Sequence, residues 1–208
     1  MFGEVNIEVQ DGNLGRNTST GSFVQVKIGA STSTSTVPVL VTNTMKPEEI
    51  KEKLGCTPLA DACIDATENG LKKLYAIPVK ADVDGTIGEV TKTGESKGTV
   101  TASGKPNNAY DVVVKITATG KVNTGSFAYS IDGGNNFSDE YTIPLGGTFE
   151  LPGTGITLTF ADSGEEEKSF MEEDAFSFSS TAPTLSNSGV LKACLLYTSP
   201  SPRDYAAS

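Results

Sequence analysis

From Ala109 to Ser180 the chain alternates between apolar and polar positions almost without a break. Tyr110, Val112, Val114 and Ile116 share one parity, and Asp111 and Lys115 take the other. Phe127, Tyr129 and Ile131 follow, then Tyr141, Ile143 and Leu145, then Phe149 and Leu151, then Ile156, Leu158 and Phe160, then Phe176 and Phe178. Alternation of period two puts every second side chain on one face of a sheet, so each run can bury one face and wet the other. Gly120, Asp132-Gly133-Gly134-Asn135-Asn136, Gly146-Gly147 and Pro152-Gly153 separate the runs with turn chemistry. Short strands at near-regular spacing predict an antiparallel β-sandwich or barrel-like domain.

The first half follows a different pattern. Phe2 to Gln10 alternates, with Val5, Ile7 and Val9 opposed to Glu4, Asn6 and Glu8, until Asp11-Gly12 breaks it. Such a run is either an edge strand of the local sheet or an arm that adds to a neighbour's sheet through backbone hydrogen bonds. Ser22 to Gly29 and Val37 to Thr42 read as strands, with a Ser/Thr-rich loop between them. Pro47 to Leu54 predicts a helix: proline at its start, Glu48 and Glu49 in the first turn, and Gly55 just past its end. Thr57-Pro58 repeats the start signal, Leu59, Ala62, Cys63 and Ala66 recur at helical spacing, and Gly70 stops the second helix. Leu74 to Val79 returns to strand, which implies a small α/β layer with room for a parallel pair. Asp82 to Lys97 is polar and glycine-rich and reads as a linker. The fold class is therefore α+β: a small, incomplete α/β layer plus an antiparallel β domain.

The end changes character. Ser186 predicts the N-cap of a helix running towards Ala193. Cys194 to Asp204 then resembles the translation of adapter DNA used in sequencing libraries, so residues 194–208 are set aside from the fold. The expected organisation is an arm over 1–21, a partial α/β core over 22–97, the β domain over 98–183, and the start of a second half of the core over 184–193. On this reading the layer has lost its partner half, and apolar surface on it should be exposed.

Charge and chemistry narrow the function. The net charge of −10 argues against nucleic acid or an anionic membrane as partner. No apolar run approaches the roughly 20 residues of a membrane span, and the start lacks the pattern of a signal peptide, so no membrane anchor is expected. There is no histidine, so neither a Ser-His pair nor a zinc site of the usual His/Cys kind can be built from these residues. Cys56, Cys63 and Cys194 have no metal-type spacing, and Cys63 reads as a small core residue. Ser130-Ile131-Asp132-Gly133-Gly134-Asn135-Asn136-Phe137 has the spacing of an Asp-box hairpin, with Phe where Trp is usual. Asp162, Glu165, Glu166, Glu167, Glu172, Glu173 and Asp174 form an acidic stretch without the ordered ligand spacing of a calcium loop, and read as a solvated loop. No catalytic residue, metal or cofactor is expected.

Three segments resemble the sheath protein of contractile phage tails: VNIEVQDGNLG near the start, KLGCTPLADACIDATENGLKKLYAIPV in the α/β layer, and SFAYSIDGGNNFSDEYTIPLGGTFELPGTGITLTF with DAFSFSSTAP in the β domain. Where such families carry Gly-Asp before the last aromatic strand, this chain has Glu173-Asp174. The resemblance implies a non-enzymatic subunit that polymerises in rings around a tail tube protein and contracts to drive the tube through a host envelope. It implies assembly in the host cytoplasm, residence in the virion tail, and Phe2, Val5, Ile7 and Val9 as the apolar face of a strand-exchange arm. Two alternatives come from other classes. One is a β-sandwich module of a tail fibre or adhesin that binds carbohydrate or a cell surface. The other is a hydrolase whose chemistry lies beyond Ala193.

Overall fold

The structure, a computed structural model, describes residues 25–32, 37–164 and 169–191. It is an α+β protein of two units, an α/β layer and a β-sandwich.

The layer is built from β1 (Gln25–Ser31), β2 (Val39–Thr42), α1 (Pro47–Leu54), α2 (Pro58–Glu68) and β3 (Lys73–Lys80). Its sheet has the order β1-β3-β2, with β1 parallel to β3 and β2 antiparallel to it. The predicted end chemistry places both helices. Glu49 reaches back to accept the Lys46 amide at 3.3 Å, and Gly55 leaves α1 at φ 78°. Ile50 and Leu54 of α1 and Leu59, Ala60, Cys63 and Ile64 of α2 form stripes at helical spacing. They pack with Val41, Leu74 and Ala76 into one core. Gly29 permits this approach, since a Cβ there would lie 3.1 Å from Leu59 Cβ.

The second unit contains β4 (Thr91–Thr93), β5 (Thr99–Gly104), β6 (Asp111–Ala118), β7 (Ser126–Ser130), β8 (Tyr141–Thr142), β9 (Thr148–Leu151), β10 (Ile156–Ala161) and β11 (Ala175–Ser179). One sheet has the order β4-β11-β6-β7-β8 and the other β5-β10-β9. The strands within both are antiparallel. Alternate residues from both sheets meet in a core containing Val112, Val114, Ile116, Leu158 and the rings of Phe127, Phe160, Phe170 and Phe176. Phe127 centres the ring packing, 4.8 Å from Phe160 and 5.1 Å edge-on from Phe149.

Three expectations change. The stretch 82–97 is not a linker. Val83 and Thr184 exchange backbone hydrogen bonds, Gly88 donates to Ser179 O, and β4 pairs with β11, so the β module spans 83–184. Leu145 leaves the core parity and is 77 % exposed, because Pro144 and Gly147 turn the chain just after β8. Asp174 is not a solvated acid but a buried one.

Glu173 holds a left-handed backbone at φ 71°, a conformation that glycine adopts without strain. Its carboxylate meets Lys115 Nζ at 2.7 Å on an exposed surface, which offsets little of that strain. Glu173→Gly is expected to raise stability by up to about 1 kcal/mol. A urea midpoint equal to or below that of the parent would contradict this.

The chain leaves the β module beside the point where it entered. Ser186 donates its amide to Asp82 Oδ1 at 2.6 Å, and its hydroxyl donates to Asp82 Oδ2. The same Ser186 Oγ accepts the Gly189 amide at 3.1 Å, and Val190 donates to Ser186 O, so Ser186 caps a helical turn over 187–191 as its sequence predicts. The β module is thus an insert between β3 and that turn.

Candidate assembly surfaces

The sheet of the layer carries apolar side chains on both faces, and the helices cover one. On the other face the β-ladder sets Val26 and Leu40 on either side of Tyr75, with Ile28 opposite Ile77. Val26 is 45 %, Leu40 46 %, Tyr75 39 % and Ile28 37 % exposed. All-parallel sheets occur with both faces covered; in this mixed sheet the described helices cover one face, which makes the row on the other a candidate contact surface. Lys27, on the helix side, is a charge whose field reaches Cys63. Burial pushes the Cys63 thiol up to about 11, and Lys27 offsets only part of that, so this cysteine is an inert core residue.

The Asp-box forms as its spacing predicts. Ser130 Oγ donates to Asp132 Oδ1 at 2.6 Å and accepts the Gly134 amide at 2.9 Å. Asn136 donates its amide to Asp132 Oδ1 at 3.0 Å and its side chain to Oδ2 at 2.6 Å. Gly133 and Gly134 supply φ values of 76° and 94°. The Ser130 hydroxyl, followed by the Asn136 amide and side chain, holds the Asp132 carboxyl down at about 2. The carboxylate is occupied in shaping its own hairpin, with Phe137 half exposed beside it.

Among the described residues, the acidic stretch does not gather into one site. Glu165, Glu166 and Glu167 lie outside the described residues. Asp162 Oδ1 accepts the Val122 amide at 3.1 Å, and Glu173 faces Lys115. Asp174 Oδ2 accepts both the amide and the hydroxyl of Ser96, and Oδ1 accepts the Glu95 amide at 3.1 Å. Burial raises the Asp174 pKa, but the Ser96 side chain, the Ser96 and Glu95 amides and Lys92 outweigh it and leave the carboxyl below its ordinary value. Gly94 leaves room for it, since a Cβ there would lie 1.8 Å from Asp174 Oδ1. Among the described residues, no group of three His, Cys, Asp or Glu could hold a metal ion. No described helix is long and apolar enough to cross a membrane. A shallow cleft of about 200 Å³ lies between Val90, Lys92, Lys97, Thr99 and Phe176, below the roughly 300 Å³ at which small-molecule pockets begin.

Where the two units meet, the side chains are polar. Asn108 Nδ2 donates to Asp61 Oδ2 at 2.6 Å, and Asp61 Oδ1 lies 3.6 Å from Lys51 Nζ. Tyr110 Oη donates to Asn107 Oδ1 at 2.6 Å, and burial, then Cys56 and Asp61, push its pKa up. The arm residues Phe2, Val5, Ile7 and Val9 lie outside the described residues, as does Cys194. The periodicity of β1 and β3 taken singly does not show that both faces are apolar. That emerges only when the register sets Val26, Tyr75 and Leu40 in one row.

No curated protein and no solved structure matches the chain. A family model, the DUF2586 N-terminal domain, matches residues 2–194, ending on the first residue of the adapter-like string. That match covers most of the chain, including both units described above, and the chain belongs to the DUF2586 family.

Proposed function

We propose that this chain is a structural subunit of a contractile tail sheath, of a phage or of a phage-derived injection particle, acting by self-assembly and not by catalysis. The observation that carries the reading is the apolar row Val26–Tyr75–Leu40, exposed among the described residues on the face of the layer opposite its helices. A subunit that polymerises needs such a surface on a rigid core. Here the row lies over the helix-packed core of the layer, and the β module stands beside it as an appendage. On this reading residues 184–193 begin the part of the chain that completes the layer. Phe2, Val5, Ile7 and Val9 form the apolar side of the exchanged arm.

The test is to express the gene's entire product and examine it by negative-stain electron microscopy. Rings or hollow tubes are expected, and deletion of residues 1–10 is expected to leave dispersed subunits. Tubes that survive the deletion would remove the role of the arm. A monodisperse full-length protein, with specific hits on a glycan array, would replace the sheath reading with that of a cell-surface binding module.

A further inference from the structure

The β module is joined to the layer at one place, and its stalk belongs to the module. Val83 pairs with Thr184, and Thr181 donates its amide to Thr86 O at 2.8 Å. Asp84 meets Lys105 Nζ at 2.6 Å. Gly85 is packed so closely that a Cβ would lie 2.4 Å from Thr181 O and 2.6 Å from Pro106 O. The stalk therefore moves with the sandwich, and the Asp82–Ser186 clasp ties its two ends together, so the short link between Lys80, the last residue of β3, and Asp82 is where the chain passes from layer to module. Each unit closes its own core. Across the boundary the defined polar contact is Asn108 to Asp61, beside Cys56, whose Sγ lies 3.9 Å from a Cβ built on Gly153. Small polar interfaces between units leave relative motion as the default.

We propose that the β module, with the Asp82–Ser186 clasp at its base, is a hinged arm that pivots about the link between β3 and Asp82, with the Asn108–Asp61 hydrogen bond as the latch of its docked position. Both partners are prepared for this. Asn108 Oδ1 accepts the Ala109 amide at 2.9 Å, which aims Nδ2 at Asp61. Asp61, half exposed and close to Lys51, keeps a cationic neighbour when the latch opens, so undocking strands no charge. A few residues at element ends are enough to absorb such a rotation. The inference does not depend on the sheath reading.

The test uses the whole chain carrying Asn108→Asp, which sets two carboxylates against each other, and the double variant Asn108→Asp with Asp61→Asn, which restores a donor and an acceptor. Small-angle scattering is expected to show a larger radius of gyration for the single variant, and ¹⁵N relaxation two tumbling times in place of one. The double variant should return both to the parent values. A single variant with the parent's scattering curve and one tumbling time would overturn the proposal, as would a double variant that stays open. If near-UV circular dichroism showed that the single variant had unfolded the module, Asn108→Ala would be read the same way and would decide.

Discussion

Asp174→Ala is expected to destabilise the β module by about 3 kcal/mol, because it leaves the Ser96 amide and hydroxyl buried without their shared acceptor and frees the part-buried Glu95 amide. The carboxylate ties the start of β11 to the β4–β5 connection and fills the space above Gly94. The loss should appear as a lower urea midpoint with an unchanged slope. Asp174→Asn, which keeps the shape and one acceptor oxygen, should cost less. The pH dependence has a definite sign. The folded carboxyl lies below its ordinary value, so its contribution is complete above about pH 4 and disappears as the pH falls through the folded value. The gap between the parent and Asp174→Ala should therefore close on acidification. A gap that stayed constant to pH 2, or a midpoint unchanged by Asp174→Ala at pH 7, would rule out this role.

Residues 82–186 expressed alone are expected to fold as a monomeric sandwich, whereas the layer with the module cut out should aggregate. The module has its own core, from Val100 to Phe178, and its ends are paired through Val83 and Thr184, so excision breaks no strand. The layer keeps the row Val26–Tyr75–Leu40 in water. In limited proteolysis of the whole chain the module should persist after the layer is digested. Ile28→Thr with Leu40→Thr should suppress the layer's aggregation without lowering its melting temperature, because neither side chain contributes to the helix-covered core. Loss of the module before the layer, or aggregation indifferent to those two substitutions, would contradict this account.

Much of this fold could be read from the chain because local chemistry dictated it. Pro47, Gly55, Thr57 and Gly70 mark helix ends with residues whose backbone preferences do not depend on the rest of the molecule. The strands β6, β9, β10 and β11 announce themselves by alternation of buried and wetter positions, and β7 by large and small residues in turn. Other elements lack that contrast. Thr91, Lys92 and Thr93 of β4 are all exposed, so no period marks them, and alternation starts the module at 98 where the structure starts it at 83. Asp174 looked like its acidic neighbours because the groups that bury it lie 78 and 79 residues away in the chain. The same applies to the candidate surface: Val26, Leu40 and Tyr75 are unremarkable one at a time and meet only through pairing between distant strands. The fate of Glu173 was half legible. The departure from glycine could be seen in the sequence, but its left-handed backbone could not.

The clasp between Asp82 and Ser186 sets an order of events during synthesis. Its partners are 104 residues apart, so at roughly 5–20 residues per second the ribosome needs about 5–20 s to deliver Ser186 after Asp82 has emerged. Through that interval β1, β2, α1, α2 and β3 have already emerged, with the Val26–Tyr75–Leu40 row as exposed as it is in the folded chain. Closing a free loop of that length is entropically costly, but a sandwich that has already folded holds Val83 against Thr184 and reduces the closure to a few residues. The insert thus acts as a timer: the clasp closes only once the sandwich between its two partners has folded.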